Sequence, residues 1–166
     1  MPEKRRRTPI SLERQLRVFT KDGWLCRWCH GPVVFGPALH LLAQFVKAEG
    51  QAGPVAYFHT HWSRRHAPLL DHLGAVVDHV EAFSKGGSSE DENLGTACNK
   101  CNARKNDGSP IPGRRVRGKY GEPTDWDGLT SVFLALSRRP GVVLTTTDQR
   151  WKKALERVRG EGWRLR

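Results

Sequence analysis

The chain has 166 residues, 37% of them hydrophobic, and a formal net charge of +11 at pH 7. This length and composition suit one domain with a modest core and additional segments. No apolar run is long enough to cross a membrane and no amphipathic anchor is visible, so the positive charge indicates a polyanionic partner, nucleic acid before a membrane surface. No signal peptide is recognisable, and we therefore expect a cytoplasmic protein.

The N-terminal residues 1–10 are predicted to form a basic flexible tail. The basic cluster at positions 4–7 suits a localisation signal, a phosphate-contacting arm or a solvated terminus. Ser11 then predicts the cap of a helix, and Asp22-Gly23 predicts its end. Apolar residues repeat at helical spacing between these signals: Leu12, Leu16 and Phe19.

The chain contains only four cysteines, and they form two Cys-x-x-Cys pairs: Cys26 with Cys29, and Cys98 with Cys101. Two such pairs predict a tetrahedral zinc site with four thiolate ligands. Two disulfides in a secreted protein are the alternative, but the close spacing within each pair and the lack of a signal peptide favour a metal. Four thiolates leave no position open for water, so we expect the zinc to be structural.

The segment after the first cysteine pair predicts a further helix over residues 37–49, ended by the Gly- and Pro-containing residues 50–54. Its apolar stripe comprises Leu41, Leu42, Phe45 and Val46. Residues 55–58 predict a short strand. A second metal site is the less favoured interpretation of the histidines that follow, because nothing in the sequence fixes a fourth ligand. These histidines are His59, His61, His66 and His72.

Residues 76–105 concentrate the polar residues best suited to chemistry. The apolar run that begins at Val76 predicts a strand with Asp78-His79 at its middle. Gly86-Gly87 predicts a turn, so the strand must end before it and a loop must follow. Asn93 closes that loop. Because neighbouring residues on a strand point to opposite faces, the carboxylate and the imidazole are expected to face different sides.

A helix is predicted from about residue 97 to residue 105, because this segment contains no Gly or Pro. The resulting order of strand, loop and helix resembles the HNH nucleases, which are built on a ββα fold around one divalent metal. The residues that carry the resemblance are Asp78, His79, Gly86, Gly87, Asn93, Asn102 and Lys105. Many members have histidine at the position of Asn102, so the chain resembles an H-N-N variant. Residues 17–32 also resemble the approach to the first zinc-binding pair of such nucleases.

The resemblance implies an α+β fold: a small ββα-metal (His-Me finger) nuclease core with zinc knuckles, plus an inserted helix and C-terminal helices. We expect this core to span residues 11–119, with an insertion at about 33–72. Residues 120–166 are expected to form a basic, helical C-terminal extension.

The resemblance also implies roles for the polar residues. His79 is expected to act as the general base, since a neutral imidazole suits proton abstraction near neutral pH. Asp78 and Asn102 offer oxygen ligands, which suit a hard catalytic cation such as magnesium or manganese. Asn93 is expected to bond the backbone beside His79 and to orient its ring.

Basic residues follow the predicted site on the helix and beyond it. Lys105 lies one helical turn after Asn102, which would place its ammonium near a bound phosphate. Residues 100–119 are rich in Lys and Arg and suit contact with a phosphate backbone, although a solubilising linker has the same composition. The nucleic-acid-binding residues expected here are Arg104, Lys105, Arg114 and Arg115.

Two helices are predicted near the C-terminus. Thr124 and Asp125 predict the cap of the first, which Arg138-Arg139-Pro140 ends. Its apolar face comprises Trp126, Leu129, Val132, Phe133 and Leu136. Residues 142–144 predict a short strand, and Asp148 predicts the cap of the last helix. The apolar residues of that helix are Trp151, Leu155 and Val158, and both helices must pack on each other or on the core.

The leading hypothesis is a metal-dependent DNA endonuclease of HNH type that hydrolyses phosphodiester bonds, with double-stranded DNA as the expected partner. A non-catalytic, zinc-stabilised nucleic-acid-binding module is the alternative, but it leaves Asp78, His79, Asn93 and Asn102 without a role. A nicking or accessory subunit that needs partner proteins is a third hypothesis. One active site cuts one strand per encounter, so a double-strand break would need a homodimer or two successive visits.

Overall fold

The computed structural model describes residues 9–48, 71–106 and 126–161. Its main elements are helix α1 (Leu12–Lys21), helix α2 (Gly36–Ala48), strand β1 (Ala75–His79), strand β2 (Leu94–Cys98), helix α3 (Asn99–Asn106), helix α4 (Thr130–Leu136) and helix α5 (Thr146–Gly160). The two strands form one antiparallel sheet, and α3 follows it directly. The predicted α+β class and the ββα order are therefore confirmed.

Helix α1 begins and ends where the sequence predicts. The Ser11 side chain accepts a hydrogen bond from the Arg14 backbone N–H, and Asp22 forms the C-cap. Gly23 follows with a φ of +63°, a left-handed conformation that glycine adopts readily. Leu16 and Phe19 are buried as expected.

The hairpin of β1 and β2 differs from the prediction in its bounds. Asp78 pairs with Gly95 and His79 pairs with Leu94, at the end of β1 and not at its middle. Beyond it, the Val80 backbone N–H donates to the Asn93 carbonyl at 2.8 Å, and the strand ends because the following N–H, that of Glu81, donates to the Asn93 side chain at 2.8 Å. Helix α3 begins later than predicted because residues 97 and 98 still pair with β1.

Aromatic side chains from distant segments meet at Phe35, in the centre of the core. The centre of its ring lies 6.2 Å from that of Trp24, 5.2 Å from that of Phe133 and 5.1 Å from that of Trp151, in each case edge to face. Aromatic pairs of this geometry add to the stabilisation from apolar burial alone. Phe35, near the start of the predicted insertion, therefore lies in the same core as α4 and α5. The division of the chain into a tail, a nuclease core and a C-terminal extension stays a prediction.

The helices that flank the sheet pack as two pairs. Helix α5 packs on α1, and α4 packs on α2, as amphipathic helices of this kind require. Leu41 of the predicted α2 stripe is buried, and Leu42 and Phe45 are half-buried. Leu39 and the small residues Ala38 and Ala43 are also buried on α2, although the predicted stripe did not include them.

Helix α4 begins at Thr130, so the start predicted from Thr124 and Asp125 was wrong. Asp127 causes the later start, because its carboxylate accepts hydrogen bonds from the backbone N–H groups of Leu129 and Ser131. Helix α5 is capped by Thr145, and the predicted cap Asp148 completes a capping box with it.

The short strand predicted over residues 142–144 is absent, and this prediction was wrong. The backbone of Val143 instead exchanges two hydrogen bonds with the Gln44 side chain, at 2.9 and 3.3 Å. A side-chain amide thus takes the place of a neighbouring strand.

Several predictions lie outside the described residues. These are most of the basic tail (residues 1–8), the side chain of Val46, the strand at residues 55–58, His59, His61, His66, Arg114, Arg115, Thr124 and Asp125. Within the described ranges, no helix combines the length and the apolar character needed to cross a membrane.

Gly128 provides a test of the core. A Cβ atom there would lie 2.1 Å from the ring of Trp24, whereas one at Gly141 would meet nothing within 4 Å. Both residues have positive φ, so the backbone strain of an alanine is similar at the two positions. We expect Gly128→Ala to lower the free energy of unfolding by about 3 kcal/mol and Gly141→Ala by about 1 kcal/mol, as measured by urea unfolding. Equal losses would contradict the packing of Trp24.

Candidate functional site

The four cysteines, distant in sequence, meet in one cluster. All four are free thiols, and their sulfur atoms lie within 4.8 Å of one another. The Sγ atoms of Cys29 and Cys98 are 4.0 Å apart. Zinc–sulfur bonds of about 2.3 Å in a tetrahedron place the sulfurs about 3.8 Å apart, so the cluster fits a single zinc ion. The structure thus brings together the four residues predicted as ligands.

The electrostatics of the cluster also suit a cation. Burial, ahead of the charge on Cys26, raises the pKa of the Cys101 thiol to about 12. Hydrogen bonds from Cys29 and Cys98 lower the pKa of Cys26, while the hydrogen bond with Cys26 raises the pKa of Cys98. Packed thiols cannot all ionise without a compensating positive charge, and a divalent cation supplies it.

The first cysteine pair lies on a tight knuckle that docks on β2. The Cys26 backbone N–H donates to the Gly31 carbonyl at 2.8 Å, and the His30 N–H donates to the Cys26 carbonyl at 2.7 Å. The Arg27 backbone N–H donates to the Thr96 carbonyl of β2 at 2.9 Å. The knuckle therefore lies beside both the end of β2 and the start of α3, where the second cysteine pair resides.

Asp78 is surrounded by donors from the knuckle and from α3. Its carboxylate accepts from Trp28 Nε1 at 2.9 Å and from Lys105 Nζ at 2.8 and 2.9 Å. The same ammonium donates to the His79 carbonyl. One positive charge is thus held by three oxygen atoms, which is the donor chemistry that a hard cation prefers. The half-buried Asn102 lies one helical turn before Lys105 on α3.

Lys105 therefore bonds Asp78 in this structure, although the sequence placed it near a bound phosphate. Its ammonium also lies 5.0 Å from the centre of the Trp28 ring, within cation–π distance. Arg104 is exposed on α3.

His79 faces the other side of the sheet, as the alternation of a strand requires. Its side chain is almost fully buried, at 3% exposure, and its Nε2 lies 3.2 Å from Ser89 Oγ. His79 is one of the residues that border an open groove of about 460 Å³. The groove is lined by Pro9, Ile10, Gln15, Ala75, Val76, Val77 and His79.

The Asn93 side chain bonds the backbone of the loop between β1 and β2 (residues 80–93), which contacts His79. Its Oδ1 accepts from the Glu81 N–H at 2.8 Å, and its Nδ2 donates to the carbonyls of Glu81 and Ser88 at 3.0 and 2.7 Å. Gly87 makes this close approach feasible, because a Cβ there would lie 2.0 Å from the Glu81 carbonyl oxygen. The side chain expected to orient His79 thus bonds the backbone just after it.

Three residues that reach the site from other parts of the chain carry no signal in the sequence. Trp28 lies between two predicted zinc ligands, but no local pattern indicated that it bonds Asp78. Arg14 of α1 donates to the Ser89 carbonyl at 2.6 Å and so holds the loop over His79. The exposed Arg27 lies across Gly95, where a Cβ would be 2.5 Å from its guanidinium. Since Gly95 pairs with Asp78, this arginine flanks the carboxylate on the same face.

Residues 68–108 match the family model of HNH endonuclease. This segment is similar to the HNH endonucleases. It contains the hairpin, the loop, α3 and the second cysteine pair, whereas Cys26 and Cys29 precede it. No curated protein and no solved structure matches the chain. The HNH match and the cysteine cluster together support a nuclease-type function and metal binding.

The cysteine cluster predicts a specific response to ligand removal. Structural zinc contributes about 10–16 kcal/mol in small zinc domains, which is comparable to the whole stability of a typical domain. We therefore expect Cys98→Ser to lose bound zinc and to unfold, as measured by elemental analysis and circular dichroism. Cys98→His is the matched control, because imidazole is also a zinc ligand. A folded Cys98→Ser variant with one zinc per chain would contradict the site.

Proposed function

We propose that the chain is a metal-dependent endonuclease that hydrolyses phosphodiester bonds in double-stranded DNA. One observation carries the proposal: the HNH segment sets Asp78 and His79 side by side at the end of β1, with three oxygen atoms already arranged around one positive charge. A carboxylate that can hold a cation and an imidazole in the next residue, at the point where the strand ends, suit attack by water on a phosphodiester.

His79 acts as the general base in this proposal. A neutral imidazole takes a proton from a water molecule that enters by the groove beside His79. The bonds of Asn93 to Glu81 and Ser88 hold the loop beside the ring, and the Ser89 hydroxyl contacts Nε2. This support keeps the imidazole in one orientation, which lowers the reorganisation needed for proton transfer.

Asp78 and Asn102 would hold one magnesium or manganese ion. When bound, such an ion supplies positive charge to the leaving oxygen of the phosphodiester. Asn102 directly follows Cys101, so the four-cysteine site fixes the start of α3 and with it this candidate ligand. The zinc itself takes no part in the chemistry, because four thiolates fill its coordination shell.

Contact with DNA is proposed to depend on the phosphate backbone. The net charge of +11 and the exposed Arg104 support this, and Arg114 and Arg115 extend the basic segment in sequence. Arg27 joins these residues, because it is exposed beside Asp78. Such contacts position the duplex without reading its sequence.

A second candidate function is a zinc-stabilised module that binds nucleic acid without cutting it. The contact between Lys105 and Asp78 favours it, because this carboxylate already has a cationic partner within the chain. The zinc site and the positive charge serve both functions equally.

Cleavage of supercoiled plasmid separates the two functions. With the zinc-loaded protein, we expect nicking in magnesium or manganese and none in EDTA. His79→Ala should lower the rate at least 100-fold, since a general base contributes about 10²–10⁴-fold. DNA affinity and zinc content should change little. His72→Ala is the matched control, a half-buried histidine just before β1.

Equal cleavage by wild type and His79→Ala would remove His79 as the base. Tight binding without cleavage in every metal would instead favour the non-catalytic module.

A further inference from the structure

Lys105 and Asp78 form an ion pair that is mostly shielded from solvent. Their side chains are 20% and 9% exposed, respectively, and the Nζ atom lies 2.9 and 2.8 Å from the two carboxylate oxygens. The ion pair of Arg17 with Glu161, in contrast, lies at the surface, and among the described residues only that of His40 with Asp148 is shielded to a similar degree. Removing one partner of a shielded pair leaves a buried charge uncompensated, so this contact matters for the folded state.

The ammonium occupies the position that the proposed catalytic cation would need. Both Asp78 oxygens and the His79 carbonyl bond this one group. A divalent cation coordinates carboxylate oxygens at about 2.0–2.6 Å, and at such distances it repels an ammonium bonded to the same oxygens. A metal at Asp78 therefore competes with Lys105 for the carboxylate.

We propose that Lys105 is a displaceable counter-ion that competes with the divalent metal for Asp78 and is released to the phosphate backbone of DNA. This inference rests on the proposed metal site. In the metal-free protein, Lys105 compensates the buried carboxylate. Once displaced, its ammonium has lost its carboxylate partner and is available to a phosphate on the exposed side of α3.

The competition couples DNA to metal. If a phosphate captures Lys105, the ammonium no longer opposes a cation at Asp78, so DNA raises the affinity for the metal. Linkage makes the effect reciprocal: metal at Asp78 raises the affinity for DNA by the same factor. Lys105 would thereby restrict full metal loading to the DNA-bound protein. Lys105 bonds the carboxylate in the free protein and a phosphate in the DNA-bound protein.

Manganese binding tests the proposal without any cleavage. We would titrate Mn²⁺ into zinc-loaded His79→Ala protein and follow the free ion by electron paramagnetic resonance. Mn²⁺ prefers oxygen donors, so it should leave the thiolate cluster to zinc. Lys105→Met should raise the Mn²⁺ affinity about tenfold, because a charge-assisted bond to Asp78 no longer has to break. A short DNA duplex should raise the affinity of the protein with Lys105 and should have little effect on Lys105→Met.

Two further variants control for changes in folding and charge. Lys100→Met removes an exposed lysine from the same helix and should leave the Mn²⁺ affinity unchanged. Lys105→Arg keeps the charge and should retain weak Mn²⁺ binding. If Lys105→Met fails to retain zinc, the comparison of Lys105→Arg with and without DNA still tests the coupling.

An unchanged or lower Mn²⁺ affinity in folded Lys105→Met would overturn the competition. If Asp78→Asn still abolishes Mn²⁺ binding in that case, the metal site of the proposed function remains in place. Absence of Mn²⁺ binding in every variant, with and without DNA, would overturn both.

Discussion

The convergence of four thiols on one point is the constraint on which the rest of the site depends. Cys29 and Cys98 are 69 positions apart in sequence, yet their sulfur atoms lie 4.0 Å apart. Trp28, which lies between the two cysteines of the first pair, donates to Asp78. At the second pair the chain passes from β2 into α3, because β2 ends at Cys98 and α3 begins at Asn99. One cation in this cluster would fix the knuckle, the strand and the helix together, and with them each contact that surrounds Asp78.

The opposite face of the sheet depends on polar contacts and not on a metal. Asn93 ties the loop to the backbone after His79, and Arg14 of α1 holds the same loop from outside. Since α1 packs on α5, the C-terminal helix supports His79 through α1. The two adjacent residues Asp78 and His79 thus receive support from different parts of the chain, so a substitution can disturb one without the other.

Local patterns in the sequence predicted much of this arrangement. Ser11 capped α1 as expected because a cap is a contact within one helical turn, and the cysteine pairs were recognisable because zinc chemistry restricts their spacing. The start of α4 was predicted too early because the Asp127 carboxylate, and not a backbone carbonyl, accepts from the N–H groups of Leu129 and Ser131. The bond between Lys105 and Asp78 spans 27 positions, and no short-range pattern encodes it. Whether Asp78, His79, Asn93 and Asn102 act in catalysis stays a prediction.

X-ray absorption at the zinc edge of the purified protein tests the central constraint most directly. We expect one zinc per chain with four sulfur ligands at about 2.3 Å and no nitrogen or oxygen ligand. A nitrogen or oxygen ligand on the zinc, or a folded protein without zinc, would contradict the four-thiolate site. In that case the knuckle and α3 would be held by packing alone, and the support inferred for Asp78 and Asn102 would lose its basis.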